Sequence, residues 1–281
     1  MMKPLHEITA GFIGSGAMGS ALIKAASRVI DKKRIFITSR AAEKRARVAS
    51  ELGVMEAGDN TGLTTLGDIV FLAVKPPQLP GVLREIAPYC DGKILVSAAA
   101  GITLSSIRAS LGGASPLALI RAMPNIAASV GESMTALAVE KSFSEAEKTL
   151  EAVSLTRELL SRGGLVELVD EGLMDCVTAI SGSGPAYAFI FIEALGDAAV
   201  SLGMPRSRAY TFAAQTLKGA AVLTLESGRH PAELKDAVCS PSGSTIEAVC
   251  ALEAGGFRSS IIEAARNAAK KARSLAGEDK A

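Results

Sequence analysis

The chain has no tryptophan, only three tyrosines and eight phenylalanines, so any core must be built from aliphatic and small side chains. It has no excess of charge: thirty Lys and Arg against 29 Asp and Glu leave a net +1. No global field therefore favours nucleic acid or an anionic membrane, and neither is an expected partner. The four cysteines, Cys90, Cys176, Cys239 and Cys250, lie far apart with no C-x-x-C pair. That spacing argues against a disulfide framework and a zinc site, and fits a reduced, cytoplasmic protein without a metal. Met1–Thr9 lacks the long apolar run of a secretory signal. The most hydrophobic later stretch, Ala186–Leu202, is slightly short for a membrane span and carries Glu193 and Asp197. Two acids there would be costly in lipid, so a soluble chain is expected.

What is present is ordinary for a packed protein: 48% apolar residues over 281 positions, with 27 glycines. Short apolar runs alternate with helix-like segments through the first part. Strands are expected over Ile8–Ile13, Arg34–Thr38, Ile69–Val74, Lys93–Ser97, Leu117–Arg121 and Met134–Val139, with a last one at Leu165–Val169. Helices are expected between them over Ala17–Ile30, Ala41–Leu52, Pro76–Ala87 and Leu104–Ser110. Such alternation implies a parallel, doubly wound α/β sheet of Rossmann type. Later the pattern is helical only: Gly172–Ile180, Pro185–Leu202, Pro205–Glu226, Pro231–Val238, Ser244–Glu253 and Ser259–Ala276. Prolines at 185, 205 and 231 stand where first turns belong, and glycines at 203, 228 and 255 where helices stop. The expected organisation is an α/β domain over residues 1–164 and an all-helical domain over 165–281. No repeat interrupts it, and the tail from Gly277 reads as frayed.

Residues 8–19 read ITAGFIGSGAMG, a full G-x-G-x-x-G after a strand and opening a helix. Gly14 suits the tight turn, Gly16 a close backbone approach to a pyrophosphate, and Gly19 close helix–strand packing. The N–H groups of residues 15–18 would face the anion at the positive helix end. A dinucleotide is the expected cofactor. The second strand ends Thr38-Ser39-Arg40, without the acid that usually binds a ribose 2′-hydroxyl. A hydroxyl followed by a guanidinium suits a 2′-phosphate, which favours NADPH, with NADH the alternative. Arg40 also reads as a solvated charge at a helix start. Ala73-Val74-Lys75-Pro76 ends the buried third strand, where Lys75 could face a ligand or simply solvent. Ala98-Ala99-Ala100-Gly101 leaves room for a flat ring, and Arg121-Ala122-Met123-Pro124-Asn125 ends the next strand. Three strand ends of this kind converge on one crevice.

In the helical half, ISGSGPAY over 180–187 places Gly-Ser-Gly before a proline-started helix. Its free N–H groups suit an anion or polar ligand, with simple close packing as the other reading. The following helix is apolar nearly all round, so it must be buried on more than one side, as in a dimer of interdigitated helices. The stretch Ala232–Val249 gathers Ser240-Pro241-Ser242-Gly243-Ser244-Thr245 ahead of another helix. This loop could cradle a carboxylate on backbone N–H groups while a hydroxyl faces a reacting atom. Ser244 with Glu247 also reads as a capping box, which is compatible with ligand binding.

The segments GFIGSGAMG, FLAVKP, RAMPN, SGSGPAYAF, LKD-x-V-x-SP-x-G-x-TIEAV and LE-x-GGFR, in this order, resemble the pyrroline-5-carboxylate reductase family over Ile8 to Leu275. The resemblance implies reduction of L-1-pyrroline-5-carboxylate to L-proline by NAD(P)H, and a helical dimerisation domain with dimers assembled into larger rings. It places Ile13, Gly14, Ser15, Gly16, Ala17 and Met18 on the pyrophosphate, Ser39 and Arg40 on the 2′ side and Asn60 near the adenosine ribose. Ala73, Val74, Lys75 and Pro76, with Ala98, Ala99 and Ala100, would line the nicotinamide side. Ser240, Gly243, Ser244 and Thr245 would form the substrate loop, with Thr245 and Ser240 at the reacting centre. Glu171 matches a further acid at the substrate. Two departures stand out: Ser242, where the family often has glycine, and Ile126-Ala127 after the M-P-N triplet. Ser242 would strain the loop if its position needs a positive φ. Two other readings remain, a related imine or β-hydroxyacid reductase and a non-catalytic NADP-binding regulator. The first would need a G-x-x-x-N-x-x-K helix, which the second half lacks.

Overall fold

The computed structural model describes residues 3–140 and 146–276; the tail from Gly277 lies outside them. β1 (Ala10–Ile13) leads to α1 (Ala17–Ala26), β2 (Ile35–Thr38) to α2 (Ala42–Leu52) and β3 (Met55–Glu56) to α3 (Asn60–Leu66). β4 (Ile69–Leu72) is followed by α4 (Leu79–Ile86), and β5 (Ile94–Ser97) by α5 (Leu104–Leu111). β6 (Ala118–Met123), β7 (Ser133–Val139), α6 (Glu147–Leu160) and β8 (Gly164–Leu168) complete one sheet of order β3-β2-β1-β4-β5-β6-β7-β8.

Strand alternation builds both faces of this sheet. Ala10, Phe12, Ile69, Phe71, Ile94 and Val96 join one buried layer with Leu22 and Ile23 of α1 and Leu159 of α6. Their neighbours Ile13, Val70, Leu72 and Leu95 join the other, with Leu63, Leu83 and Ile107 from α3, α4 and α5. A side-chain period of two sends successive residues to opposite faces, which is why these strands read as unbroken apolar runs. Phe12 and Phe71 stack 4.6 Å apart across β1 and β4.

The sheet is not parallel throughout, as the alternation had implied. β7 runs antiparallel to β6, and β8 follows β7 in parallel. The link Pro124–Glu132 holds only a short 3-10 turn. A parallel return needs a crossover of a dozen or more residues, usually helical, so so short a link reverses the chain.

By packing the chain falls into two compact units. Among the described residues, one takes those up to Ser183 together with 268–276, and the other is Gly184–Asn267. The division expected after residue 164 falls at β8, which pairs with β7 as a full member of the sheet. The first unit also holds α7 (Met174–Val177), continued by a π turn over Thr178–Gly182. Arg273 Nε lies 3.4 Å from the Asp175 carboxylate in this unit.

The second unit contains α8 (Gly184–Ser201), α9 (Arg206–Ser227), α10 (Pro231–Val238), α11 (Ser244–Ala254) and the start of α12 (Phe257–Ala276). α8 and α9 pack closely at Gly196, where a Cβ would stand 2.6 Å from the Tyr210 ring. Arg206 bonds Asp197 and the Tyr210 hydroxyl, so charge closes the same hairpin. The expected burial of α8 on several sides does not occur within one chain: Phe189 is 61% and Ile190 67% exposed.

Candidate active site

The glycine turn has three distinct reasons for its three glycines. Gly14 sits at φ +109°, and a Cβ there would be 2.5 Å from the Ala73 carbonyl oxygen. A Cβ on Gly19 would stand 2.0 Å from the Gly14 carbonyl oxygen, so α1 lies against the turn itself. A Cβ on Gly16 would meet nothing within 4 Å, so that glycine keeps open space for something other than protein. Gly16 is the N-cap of α1 and no side chain caps the helix, which leaves its first N–H donors unspent. Among the described residues the buried Ser15 hydroxyl is likewise without a partner. These features fit a bound pyrophosphate.

A cleft of about 970 Å³ opens over this turn. It brings together Ile13, Gly14, Ser15, Gly16, Ser39, Arg40, Asn60, Ala73, Val74 and Lys75. Ala17, Met18, Pro76 and Ala98–Ala100 are not on its wall. The Met18 side chain packs on the core, and Ala99 belongs to the buried layer beneath α4 and α5. The cleft adds Lys44, Arg84 and Glu85, which the sequence reading had passed over, and Thr38, which it had named only as part of the strand end. Lys44 lies in the first turn of α2, just after the bend that carries Arg40, and a second cation so close to the strand end was a usable signal. Among the described residues, Arg40, Lys44 and Lys75 have no carboxylate within ion-pair distance.

Asn60 opens α3 directly after its N-cap, Asp59. The Gly62 N–H and then the Thr61 hydroxyl hold the Asp59 carboxyl below its ordinary range. Thr38 Oγ1 donates to Asn60 Oδ1 at 2.7 Å, and Asn60 Nδ2 donates to Glu85 Oε2 at 2.9 Å.

Farther along the strand ends, Arg121 is 4% exposed. Its Nη1 lies 3.4 Å from Glu171 Oε1, which also accepts the Leu104 N–H at 2.7 Å. Glu171 therefore ties the end of β6 to the start of α5. Asn125 takes the Ala127 N–H on its oxygen and donates to the Ser181 carbonyl. The helix start expected at Gly182–Gly184, with free N–H groups, is not formed. The chain is already helical, and the Ser183 N–H donates to the Thr178 carbonyl at 2.8 Å. A π turn widens the backbone ahead of Pro185, whose ring would clash with a regular preceding turn.

In the second unit, α10 ends at Val238 and the chain turns over Ser240–Gly243, with the Gly243 N–H donating to the Ser240 carbonyl at 3.0 Å. Ser242 has φ +55°, the left-handed region anticipated for it. The capping box expected from Ser244 and Glu247 does not form: α11 begins at Ser244, and extended Gly243 takes the N-cap position without a side-chain bond. The hydroxyls of Ser240, Ser244 and Thr245 thus make no hydrogen bond among the described residues. Thr245 is half-buried and Ser240 exposed. His230, by contrast, is used structurally, its Nδ1 accepting the Ala232 N–H at the start of α10.

Known proteins match both parts of the chain. The family model described as pyrroline-5-carboxylate reductase dimerisation matches residues 171–275, and that described as NADP oxidoreductase, coenzyme F420-dependent, matches 9–101. The pyrroline-5-carboxylate reductase of Escherichia coli K12 is 40% identical over 94% of this chain and 97% of its own. A pyrroline-5-carboxylate reductase structure from Coxiella burnetii superposes with a TM-score of 0.86 at 33% identity, covering 95% of this chain and 98% of that one. The Plasmodium falciparum pyrroline carboxylate reductase, solved with NADP bound, gives 0.83 at 29% identity over 97% of this chain and 100% of that one. With such identity sustained through sheet and helices alike, the chain belongs to the pyrroline-5-carboxylate reductase family.

Proposed function

We propose that this chain reduces L-1-pyrroline-5-carboxylate to L-proline, the final step of proline synthesis, using NADPH or NADH. The observation that carries the reading is a turn whose three hydroxyls, Ser240, Ser244 and Thr245, are all unspent, in a chain with an uncapped, anion-ready glycine turn. When bound, the reduced nicotinamide supplies the hydride. Everything else falls to the chain's own residues.

The N–H groups of residues 15–18 hold the pyrophosphate, the Gly14 N–H being spent on the Thr38 carbonyl, and Ser39, Arg40 and Lys44 hold the 2′ side. Asn60 orders the adenosine ribose. Ala73–Pro76 and Ala98–Ala100 supply small side chains and backbone beside the nicotinamide. On the loop, the first N–H groups of α11 hold the substrate carboxylate, helped by Gly243 and the Ser244 hydroxyl. Thr245 Oγ1 hydrogen-bonds the ring nitrogen, with Ser240 beside it. Glu171 acts on the site through Arg121 and α5. A protonated cyclic imine is already electrophilic, so the loop's task is chiefly to fix one ring face, and no histidine base is needed.

The exposed apolar faces of α8 and α9, including Phe189, Ile190 and Phe212, are covered in this reading by a second copy of the chain. A ring of such dimers and a cytoplasmic location complete it, the latter in keeping with four unpaired cysteines.

The test is consumption of NADPH by the purified chain with the cyclic imine, run beside a β-hydroxyacid and its oxidation product. Proline formed in proportion to NADPH consumed is expected. No consumption with the imine overturns the proposal, and light scattering decides the copy number.

A further inference from the structure

The end of β2 lacks an acid, yet a carboxylate reaches that corner of the cleft from another element. Glu85, on α4, accepts a hydrogen bond from Asn60 Nδ2 at 2.9 Å, and Asn60 in turn accepts one from Thr38 Oγ1 at 2.7 Å. Thr38 is the last residue of β2, so one side-chain amide joins the strand end to a carboxylate on α4. The Glu85 carboxylate, which only accepts, fixes which end of the amide faces it, since a flipped amide would set its oxygen against the carboxylate, whereas the buried Thr38 hydroxyl can serve either end. Glu85 is exposed, lines the same cleft as Arg40 and Lys44, and forms no ion pair among the described residues. The bond to Asn60 engages only one of its oxygens, leaving Oε1 free for a ligand.

We propose that Glu85 selects between the two dinucleotides: it accepts a hydrogen bond from the ribose hydroxyl of NADH and opposes the 2′-phosphate of NADPH that Arg40 and Lys44 attract. A corner holding both an acid and bases serves a reductase that takes either cofactor. The inference rests on the reductase reading above, and it assigns to α4 the role that the end of β2 leaves unfilled.

The substitution E85Q tests it, because glutamine keeps an acceptor oxygen for Asn60 and removes only the charge. Binding of 2′,5′-ADP and of 5′-AMP, measured by calorimetry, probes this corner without the nicotinamide. Loss of one like charge is expected to tighten 2′,5′-ADP about three- to tenfold, while 5′-AMP binds no better than before. The ratio of kcat/KM for NADPH to that for NADH should rise by a similar factor, and R40A should lower it. If E85Q leaves both the fragment affinities and the cofactor ratio unchanged, the proposal is wrong. It is equally wrong if E85A weakens both fragments alike while E85Q changes neither, since Glu85 then only props Asn60. A wild-type chain that binds the fragments but does not reduce the imine defeats the reductase reading alone, and the calorimetric comparison still judges Glu85.

Discussion

Asn125 Nδ2 donates to the carbonyl oxygen of Ser181 at 3.1 Å, and in doing so replaces a backbone donor that the chain cannot supply. In a regular α-helix that carbonyl would accept the N–H of the residue four positions later, which is Pro185 and has none. The M-P-N segment after β6 therefore completes a break in the helical chain.

Removing this donor should be costly. N125A takes the side-chain partner from the Ser181 carbonyl and the Ala127 N–H in a half-buried setting, and should destabilise the protein by about 1–2 kcal/mol. N125D keeps the acceptor for Ala127 and loses the donor, so it should recover only part of that loss. Denaturant melts of the three proteins, compared at one protein concentration, decide the order.

The glycine turn offers a contrast between two single-methyl additions. A Cβ on Gly19 would collide with the Gly14 carbonyl at 2.0 Å, whereas one on Gly16 meets only open space. G19A should therefore fail to fold or melt several degrees lower. G16A should keep the wild-type melting point but bind NADPH at least tenfold more weakly, its methyl group occupying the space left for the pyrophosphate. Equal NADPH affinity in G16A and wild type would remove Gly16 from the cofactor site.

At Thr245 the expected loss is partial. T245A removes one hydrogen bond to a ring nitrogen and should lower kcat/KM for the imine about ten- to a hundredfold, with NADPH affinity unchanged. T245S should restore most of it. Unaltered steady-state constants in T245A would place the threonine outside the mechanism.

Ser242 holds φ +55° on an L-residue with an exposed side chain. The left-handed conformation costs roughly 1–2 kcal/mol for a residue with a Cβ, and glycine returns part of that through unfolded-chain entropy. S242G should thus stabilise the protein by about 0.5–1 kcal/mol, while S242A should not. Thermal melts of the pair separate backbone strain from loss of the hydroxyl.

The sequence disclosed most where one local pattern decides the structure. Strands β1, β2, β4 and β5 are buried on both faces, and their apolar runs could hardly be read otherwise. Helix α6 escaped notice because Thr149 and Thr156 occupy its buried stripe; Thr156 Oγ1 satisfies itself on the Ala152 carbonyl at 2.8 Å, so a polar letter stands where an apolar one was sought. β3 is two exposed residues, Met55 and Glu56, with no hydrophobic signal at all. At the site, the glycine turn and Arg40 were legible because each follows a strand directly. Glu85 was not, since it meets Asn60 from 25 positions away, across two helices and a strand. The capping pattern at Ser244 misled for the opposite reason: extended Gly243 took the cap position first, and the hydroxyls were left for another use.

The first unit holds the sheet and also receives the later part of α12, residues 268–276. During synthesis the sheet can therefore assemble while the helical unit is still emerging, yet its own unit is finished only once α12 has followed. Until then Asp175, later faced by Arg273, waits without its cation. A nascent chain stalled in the helical half would carry a formed nucleotide cleft on an incomplete unit, so the emergence of α12, rather than formation of the sheet, marks the completion of that unit.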